Sequence, residues 1–398
     1  MELYIQMGHN TQSLALEYLD YFGDGTLILS PMNIAQNSLG RYSVDVHKKN
    51  GKLLLDPQLY YPRKYQKRLA KYKYWPQDNL TSLEMGDFER VVRELAELNK
   101  YIEAEDFILP SITSKKVDEL WNKVQKLIIE HAKTYAFDME YIHTIALSSD
   151  VVNDEMQIER IISYVEEWDV KGVYIVSEHP EKFYLVDRPL WVSNMMSLAA
   201  GIKRQHKKVI IGYASHQLLC MALAKCDAIA SGNHLNLRWF QSEHFETNDE
   251  KQQGRRTAWY YCPQALSEYK IPFLDIAIRM GILEKMKTPE SMSNPYSDIL
   301  FGPALPSSAD FKEGKAARHY LFCLRKQCED SVRESYQETK NAHLAMLGTA
   351  ELLLSGLNEK GIKGQNRDFT EILDVNRAAI AAFDMAYQYP LSQEWKNL

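Results

Sequence analysis

The chain has 398 residues, of which 45% are hydrophobic and 25% charged, and its formal net charge is −6. This length accommodates two or three domains, or one barrel of roughly 250 residues with an appendage. The mild acidity excludes a protein that coats nucleic acid over its whole surface, but it is compatible with a local basic groove. No apolar run reaches the ~20 residues that cross a bilayer, and the N-terminus lacks a basic segment followed by an apolar one. We therefore expect a cytoplasmic protein with no membrane partner.

Eight short apolar runs alternate with helical patterns over the first two-thirds of the chain. Such runs, rich in Leu and β-branched residues, are typical of parallel strands buried on both faces. Their alternation with helices predicts an α/β fold, a (β/α)8 TIM-like barrel. The alternative is an open doubly wound sheet, whose first turn is usually glycine-rich, and MGHNTQS (7–13) does not match that pattern. Strands are predicted at 3–7, 26–30, 52–56, 106–110, 142–148, 172–177, 208–213 and 227–231.

Two regions extend beyond a minimal barrel. Residues 57–105 form a long insertion after the third strand, with a basic aromatic stretch followed by an acidic helix. The pattern after the eighth strand becomes mainly helical, with amphipathic helices near 315–356 and 367–387. The predicted organisation is a barrel over 1–262, which includes the insertion, and a helical C-terminal region over 263–398.

The chain contains five cysteines, a small and odd number that suits free thiols in a reducing compartment. Cys323, Cys328 and His343 together could suggest zinc. Their spacing matches neither a standard zinc finger nor a zinc ribbon, and the segment has a helical pattern. We therefore expect buried or half-buried thiols, no metal and no cofactor. The sequence carries no signal for the oligomeric state.

Polar residues follow nearly every predicted strand. In a (β/α)8 barrel the functional site lies at the C-terminal ends of the strands, so this pattern is typical of an occupied site. For Ser111 and Ser215, helix capping is the preferred interpretation. The set comprises His9, Asn10, Ser30, Asn33, Asp56, Gln58, Ser111, Ser149, Asp150, Glu178, His179, Tyr213, Ser215, Ser231, Asn233 and His234.

Asp56 is the leading catalytic candidate, because it ends an apolar strand and precedes Pro57, so it cannot begin a helix itself. A carboxylate in this place can act as a base, a nucleophile or a stabiliser of a cation. The alternative is a cap for a helix that begins at Pro57. Glu178 and His179 leave the sixth strand and either hold a substrate or form a capping pair, and Asp150 has the same two interpretations.

A basic and aromatic stretch follows Asp56, with no acidic residue from position 57 to position 77. If Pro62 opens a helix, tyrosines share one stripe and cations another. A row of cations neutralises phosphates, and exposed bases stack on Tyr or Trp, so we favour nucleic-acid binding over a solvated helix whose tyrosines pack on the barrel. The predicted contacts are Arg63, Lys64, Lys67, Arg68 and Lys71.

A second stretch after the eighth strand mixes amide, guanidinium and indole groups. This combination suits phosphate contacts and the reading of base edges. It adds Arg238, Arg255 and Arg256 to the predicted nucleic-acid contacts.

Four segments resemble the tRNA-guanine transglycosylase superfamily, including its relatives that exchange bases in DNA. GKLLLDPQLYY (51–61) resembles the strand that ends in a catalytic Asp, and VKGVYIVSEHP (170–180) the strand that ends in a Glu beside the base pocket. Residues 212–234 resemble a strand, a helix and a GxDxxD strand, and residues 317–347 the long tail helices. The resemblance spans most of the chain in order and implies a (β/α)8 barrel with an insertion and a C-terminal appendage.

The chain departs from the superfamily pattern at two places. The family's zinc cluster is missing, and Ala230 occupies the position of the family's nucleophile, although Asp227 matches the first Asp of that pattern. Without the nucleophile, base exchange loses its usual basis, whereas Asp56 can still activate water or stabilise an oxocarbenium-like sugar. The resemblance thus implies hydrolysis of an N-glycosidic bond by Asp56, with the base bound among Gln58, Asp150, Glu178, His179, Ser231, Asn233 and His234.

The first functional hypothesis is a base-flipping glycosylase that removes a modified base, with DNA favoured over tRNA as the partner. The association of the superfamily's DNA branch with phage conflict implies a role in antiviral defence. A second hypothesis is a transglycosylase in which another residue replaces the missing nucleophile. A third is a non-catalytic barrel that binds nucleic acid. A fourth, a barrel enzyme with a small substrate, fits the two basic aromatic stretches poorly.

Overall fold

The predicted (β/α)8 barrel is confirmed by a computed structural model, which describes residues 1–62, 66–76, 85–245 and 257–398, with backbone alone at 85–87. Eight parallel strands pair in the order β3-β2-β1-β8-β7-β6-β5-β4 and form a nearly closed barrel. The strands are β1 Glu2–Gln6, β2 Gly25–Leu29, β3 Gly51–Leu55, β4 Phe107–Leu109, β5 Tyr141–Leu147, β6 Gly172–Ser177, β7 Lys208–Ile211 and β8 Ala228–Gly232.

Side chains alternate along each strand between the barrel interior and the layer of helices, as the two-residue period of a strand requires. Tyr4, Leu54 and Ala230 belong to the cluster inside the barrel. Leu53 and Ile229 belong to the larger cluster that the strands share with the surrounding helices. Both faces of the strands are therefore apolar, which is why their sequences are nearly continuous apolar runs.

Helices follow most strands and surround the barrel. Asp154 caps one of them, because its carboxylate accepts hydrogen bonds from the first free backbone amides, including Met156 N at 3.0 Å. The connection between β7 and β8 contains a 3-10 helix, His216–Ala224. The helices up to this point are α1 Gln12–Phe22, α2 Gln36–His47, α3 Met85–Tyr101, α4 Glu119–Tyr135, α5 Ser149–Val152, α6 Glu155–Glu166 and α7 Pro189–Lys203.

The insertion lies between β3 and β4, the two ends of the strand order, where Glu105 N donates to Leu53 O at 2.8 Å. The hypothesis of a helix opening at Pro62 is wrong for residues 66–76, which contain one short 3-10 turn, Leu69–Lys71. The physical reason is burial: the aromatic rings of this stretch fill the core instead of lying along one stripe. The buried side chains are Leu69, Tyr72, Tyr74 and Trp75.

The C-terminal region begins with an antiparallel hairpin, and the boundary predicted after residue 262 falls in its turn. The helix predicted at 315–356 is two helices, because Ser335 caps a new helix by accepting from Glu338 N at 3.2 Å. The last helix packs against α7, which joins this region to the barrel. The elements are β9 Trp259–Cys262, β10 Ser267–Lys270, α8 Ile271–Arg279, α9 Glu313–Glu329, α10 Tyr336–Glu359 and α11 Ile372–Glu394.

The cysteine side chains are all buried and reduced, and burial raises the pKa of the Cys220 thiol to about 12. Across the described ranges, every helix is too short or too polar to span a lipid bilayer.

Candidate active site

Asp56 lies at the C-terminal end of β3, and its side chain is completely buried. Its backbone amide donates to Leu29 O at 3.1 Å, which extends the pairing of β3 with β2 by one residue. Because side chains alternate along a strand, Asp56 points into the barrel on the same side as Leu54. The carboxylate therefore sits inside the mouth of the barrel, where the sequence predicts the site.

Four donors surround the Asp56 carboxylate. Tyr60 OH and Gln58 N donate to Oδ1 at 2.7 and 2.9 Å, and Tyr213 OH and Gln6 Nε2 donate to Oδ2 at 2.7 and 3.3 Å. Burial raises the pKa of Asp56 to about 6, while these hydrogen bonds act in the opposite direction. The group is thus a carboxylate at neutral pH that takes up a proton under mildly acidic conditions.

Two of the donors belong to residues with left-handed backbone, since φ is +55° at Gln58 and +53° at Tyr213. Non-glycine residues in this region are strained, and they persist where the surrounding structure holds them in place. Here Gln58 Nε2 donates to Ser30 Oγ at 2.7 Å, and Met32 N donates to Gln58 Oε1 at 2.9 Å. The loops after β2, β3 and β7 therefore fix the donors around Asp56 together.

Phe240 and Phe245 form an aromatic roof over this site. Phe240 contacts Tyr60 and Tyr213 at centroid distances of 4.9 and 5.5 Å, and Phe245 contacts the same rings at 5.0 and 5.9 Å. The roof closes the barrel mouth, which explains the complete burial of Asp56.

Glu178, at the end of β6, is half-buried and holds the roof segment in place. Its Oε1 accepts from Ser242 N at 3.2 Å and from Ser242 Oγ at 2.5 Å. Ser242 Oγ also lies 2.9 Å from Thr113 Oγ1, in the loop after β4. Ser242 lies between the two phenylalanines in sequence, so these contacts fasten the roof to the rim.

Two of the predicted substrate residues lie apart from Asp56. His179 is buried between Trp191 and Trp239, its Nδ1 lies 3.0 Å from Phe183 O, and burial lowers its pKa to about 4. Asp150 is exposed on α5. The structure gives His179 the contacts of a packing residue.

The predicted residues after β8 lie toward β1. Ser231 is buried within β8, Asn233 Oδ1 accepts from Thr11 Oγ1 at 2.9 Å, and His234 Nε2 lies 3.1 Å from His9 O. Asn233 and His234 line a cavity of about 860 Å³ beside the roof. We call it the β1–β8 cavity.

The predicted nucleic-acid contacts divide into three groups. Lys67, Arg68 and Lys71 are exposed, and Arg68 Nη1 donates to Met32 O at 3.3 Å. Arg238 is instead buried and paired with Glu268 at 3.1 Å, so its guanidinium serves an internal ion pair. Arg63, Lys64, Arg255 and Arg256 lie outside the described residues.

Asp227 and Ala230, the two positions compared with the GxDxxD pattern, lie at different levels along the barrel axis. Ala230 is inside the barrel, in the same cluster as Tyr60 and Tyr213. Asp227 precedes β8 at the opposite end of the barrel, where it accepts hydrogen bonds from Lys203 Nζ at 2.7 and 2.9 Å. Asp227 therefore belongs to an ion pair outside the site.

Several residues of the site escaped the sequence analysis. A polar Gln in the apolar run LYIQM is a usable signal, since a buried amide needs partners. Tyr213 was predicted as a strand-end residue, but nothing local shows that it bonds Asp56. The side chains that the sequence did not indicate are Gln6, Tyr60, Phe240, Ser242, Phe245, Glu268 and Arg367.

Within the described residues, no group of three or more His, Cys, Asp or Glu side chains is arranged to hold a metal ion. No protein-family model matches the chain, and no curated protein matches it at a significant level. Among solved structures, a chain from the characterisation of a monomeric dihydrodipicolinate synthase variant is 11% identical, with a TM-score of 0.33. The match covers 81% of this chain and 96% of that one.

Proposed function

We propose that the protein is a nucleic-acid base glycosylase that hydrolyses an N-glycosidic bond, with DNA favoured over tRNA and a modified base as the target. The observation that carries the proposal is Asp56, a buried carboxylate at the C-terminal end of a barrel strand with a pKa raised to about 6. Perturbed carboxylates of this kind are enriched at catalytic sites. The resemblance to the transglycosylase superfamily at this same position supplies the reaction class.

The proposed chemistry needs one carboxylate and one water. The C1′–N bond breaks, its electron pair leaves with the base, and the Asp56 charge stabilises the oxocarbenium-like sugar. Water then adds to C1′ and gives a proton to Asp56, which passes this proton on to the departing base. The products are a free base and an abasic site. Tyr60 and Tyr213 hold the carboxylate in one orientation through hydrogen bonds of 2.7 Å each.

The alanine at position 230 supports hydrolysis over exchange. Base exchange by the superfamily's usual route requires a second carboxylate that bonds covalently to the sugar. A methyl group provides no such nucleophile, and Ala230 lies inside the barrel with Tyr60 and Tyr213.

Catalysis in this proposal requires the aromatic roof to open, because Asp56 is completely enclosed beneath it. Opening separates Ser242 from Glu178 and frees that carboxylate to accept hydrogen bonds from a base edge. An extrahelical base can then stack on the aromatic rings of Phe240, Phe245 or Tyr60.

Exposed cations on the same rim suit the nucleic-acid backbone. Lys67, Arg68 and Lys71 follow β3, and Lys115 and Lys116 follow β4. Phosphates bound along these two neighbouring loops would place a strand across the barrel mouth.

The proposal is tested by incubating the protein with unmodified DNA, DNA rich in modified bases, and tRNA, together with a labelled free base. We expect abasic sites and a released base in one substrate class. Incorporation of the labelled base without abasic sites would instead show exchange, and neither product with any substrate would reject both activities.

Complete enclosure of Asp56, with four donors already in place, favours one rival: a barrel that binds nucleic acid without catalysis. Under that alternative, the protein binds nucleic acid in a salt-dependent manner but releases no base. The same incubation separates the two.

A further inference from the structure

We propose that the β1–β8 cavity binds a phosphate group. The cavity has a volume of about 860 Å³ and opens at the rim between the start of the chain, the end of β8 and the C-terminal region. Six charged or aromatic side chains carry the proposal: Arg238, Trp259, Glu268, Lys270, Arg318 and Arg367.

The cavity wall contains a buried cluster of two arginines and one glutamate. Glu268 Oε2 accepts from Arg238 Nη1 at 3.1 Å and from Arg367 Nη1 at 2.8 Å, and Tyr184 OH donates to Glu268 Oε1 at 3.0 Å. Arg238 and Glu268 are almost fully buried. Since one carboxylate faces two guanidinium groups, the arginine–glutamate cluster retains a positive charge at the cavity wall.

Further cations surround the indole of Trp259. The Arg367 guanidinium lies 4.2 Å and Lys270 Nζ 5.2 Å from the ring centroid. Arg318 also lines the cavity, although its Nε donates to Glu17 at 2.7 Å. The lining therefore holds four cations and two carboxylates, Glu268 and Glu313, together with the side chain of His9.

Phosphate is the ligand class that this lining fits best. Planar guanidinium groups and a flexible ammonium group match its several oxygen acceptors, and the surplus of positive charge disfavours a cation. Leu237 lines the cavity and also packs in the cluster that contains the aromatic roof. A phosphate bound here lies next to the barrel mouth.

The phosphate has two sources, a phosphodiester of a nucleic-acid strand or a free nucleotide. We assign it to the strand whose base reaches Asp56, an assignment that rests on the proposed function. Recognition of phosphate itself does not depend on that function.

The test measures binding of fluorescein-labelled single-stranded dT12, with dTMP as a competitor, to protein carrying Asp56→Asn to prevent turnover. Lys270→Gln in that background should weaken dT12 binding about fivefold. It should also reduce the slope of log K against log salt concentration by the amount expected for one lost phosphate contact. Lys285→Gln is the matched control, because Lys285 is exposed and lies outside the cavity lining. Thermal unfolding confirms that each variant is folded.

Two outcomes support phosphate recognition. Weaker dT12 binding by Lys270→Gln without competition from dTMP identifies the strand as the source, and Lys270-dependent competition by dTMP identifies a free nucleotide. Binding of both probes that Lys270→Gln and Arg318→Gln leave unchanged, or no binding of either, would overturn the inference. Phosphate binding by a protein that releases no base would reject the proposed function and leave this inference intact.

Discussion

At the scale of single residues, Asp56 combines two opposing effects. Burial disfavours its charged form, while hydrogen bonds from Tyr60, Tyr213, Gln58 and Gln6 favour it. Burial is the larger effect and raises the pKa to about 6, so the folded protein holds a charge that would be more stable in water. Destabilising groups of this kind are expected where activity requires them.

The raised pKa of Asp56 predicts a pH-dependent stability. Between its ordinary value of 3.8 and about 6, the folded state binds more protons than the unfolded state, so stability from this residue falls as pH rises. Relative to Asp56→Asn, we expect the unfolding free energy of the wild type to fall by about 2 kcal/mol from about pH 4 to about pH 7. Urea titrations across this range measure it, and parallel profiles for the two proteins would contradict it.

At the scale of elements, the roof segment covers the barrel mouth, and hydrogen bonds hold both this segment and the insertion in place. The roof is fastened through Glu178 and Ser242, and the insertion is fastened through its own buried rings and through Arg90 of α3, which donates to Lys73 O at 2.8 Å and to Trp75 O at 3.1 Å. The aromatic part of the insertion is thus structural, and its cations Lys67, Arg68 and Lys71 lie at the surface.

The roof contacts predict that Ser242→Ala eases opening. The variant loses the hydroxyl bond to Glu178 and keeps the backbone bond, so the opening free energy should fall by about 1 kcal/mol. Amide hydrogen exchange in residues 240–245 should accelerate about fivefold. Ser308→Ala, on an exposed 3-10 turn, is the control. Equal exchange in residues 240–245 for wild type and Ser242→Ala would show that this contact does not hold the roof.

The exposed cations of the insertion predict a loss of nucleic-acid binding on charge reversal. Lys67→Glu with Arg68→Glu should weaken binding of single-stranded DNA at least about tenfold at low salt, and less at high salt. Lys285→Glu with Lys287→Glu makes the same change in net charge at exposed positions of the C-terminal region. If both double variants bind equally well, the insertion does not contact the strand.

At the scale of the whole molecule, the arginine–glutamate cluster joins the barrel to the C-terminal region. Arg238 lies beyond β8, Glu268 is on β10, and Arg367 precedes α11. Burial acts to raise the pKa of Glu268, but Arg238 and Arg367 together outweigh it, so the pKa lies below its ordinary value. The cluster thus stabilises the protein above the pKa of the unfolded-state glutamate and loses this contribution as pH falls.

Removal of the Glu268 carboxylate should cause a large loss of stability. Glu268→Leu leaves the buried guanidinium of Arg238 and the half-buried guanidinium of Arg367 without their shared partner, and we expect a loss of about 3–5 kcal/mol. Chemical denaturation at neutral pH measures it, with Glu313→Leu as a control on a half-buried carboxylate of the same cavity. A fall of less than about 1 kcal/mol in the free energy of unfolding would show that water accepts the hydrogen bonds of the two arginines in place of Glu268.

The barrel was predictable because parallel strands buried on both faces are apolar throughout, so all eight strands lie within a few residues of their predicted positions. Asp56 was predictable as a strand-end residue, because it directly follows one of these apolar runs. The bond from Tyr213, 157 residues away in sequence, depends on barrel closure, and no local pattern encodes it. The helix expected after Pro62 fails between 66 and 76, because burial of Tyr72, Tyr74 and Trp75 outweighs helical periodicity.

The role of Asp56 is tested most directly by the single-turnover rate of abasic-site formation by the wild type, Asp56→Asn and Asp106→Asn. Asp106 is the matched control, a second fully buried aspartate, paired with Lys171 at 2.7 Å at the other end of the barrel. We predict abasic sites with the wild type and with folded Asp106→Asn, and a loss of at least about a thousandfold with Asp56→Asn. Equal rates for the wild type and a folded Asp56→Asn would show that Asp56 is not the catalytic residue.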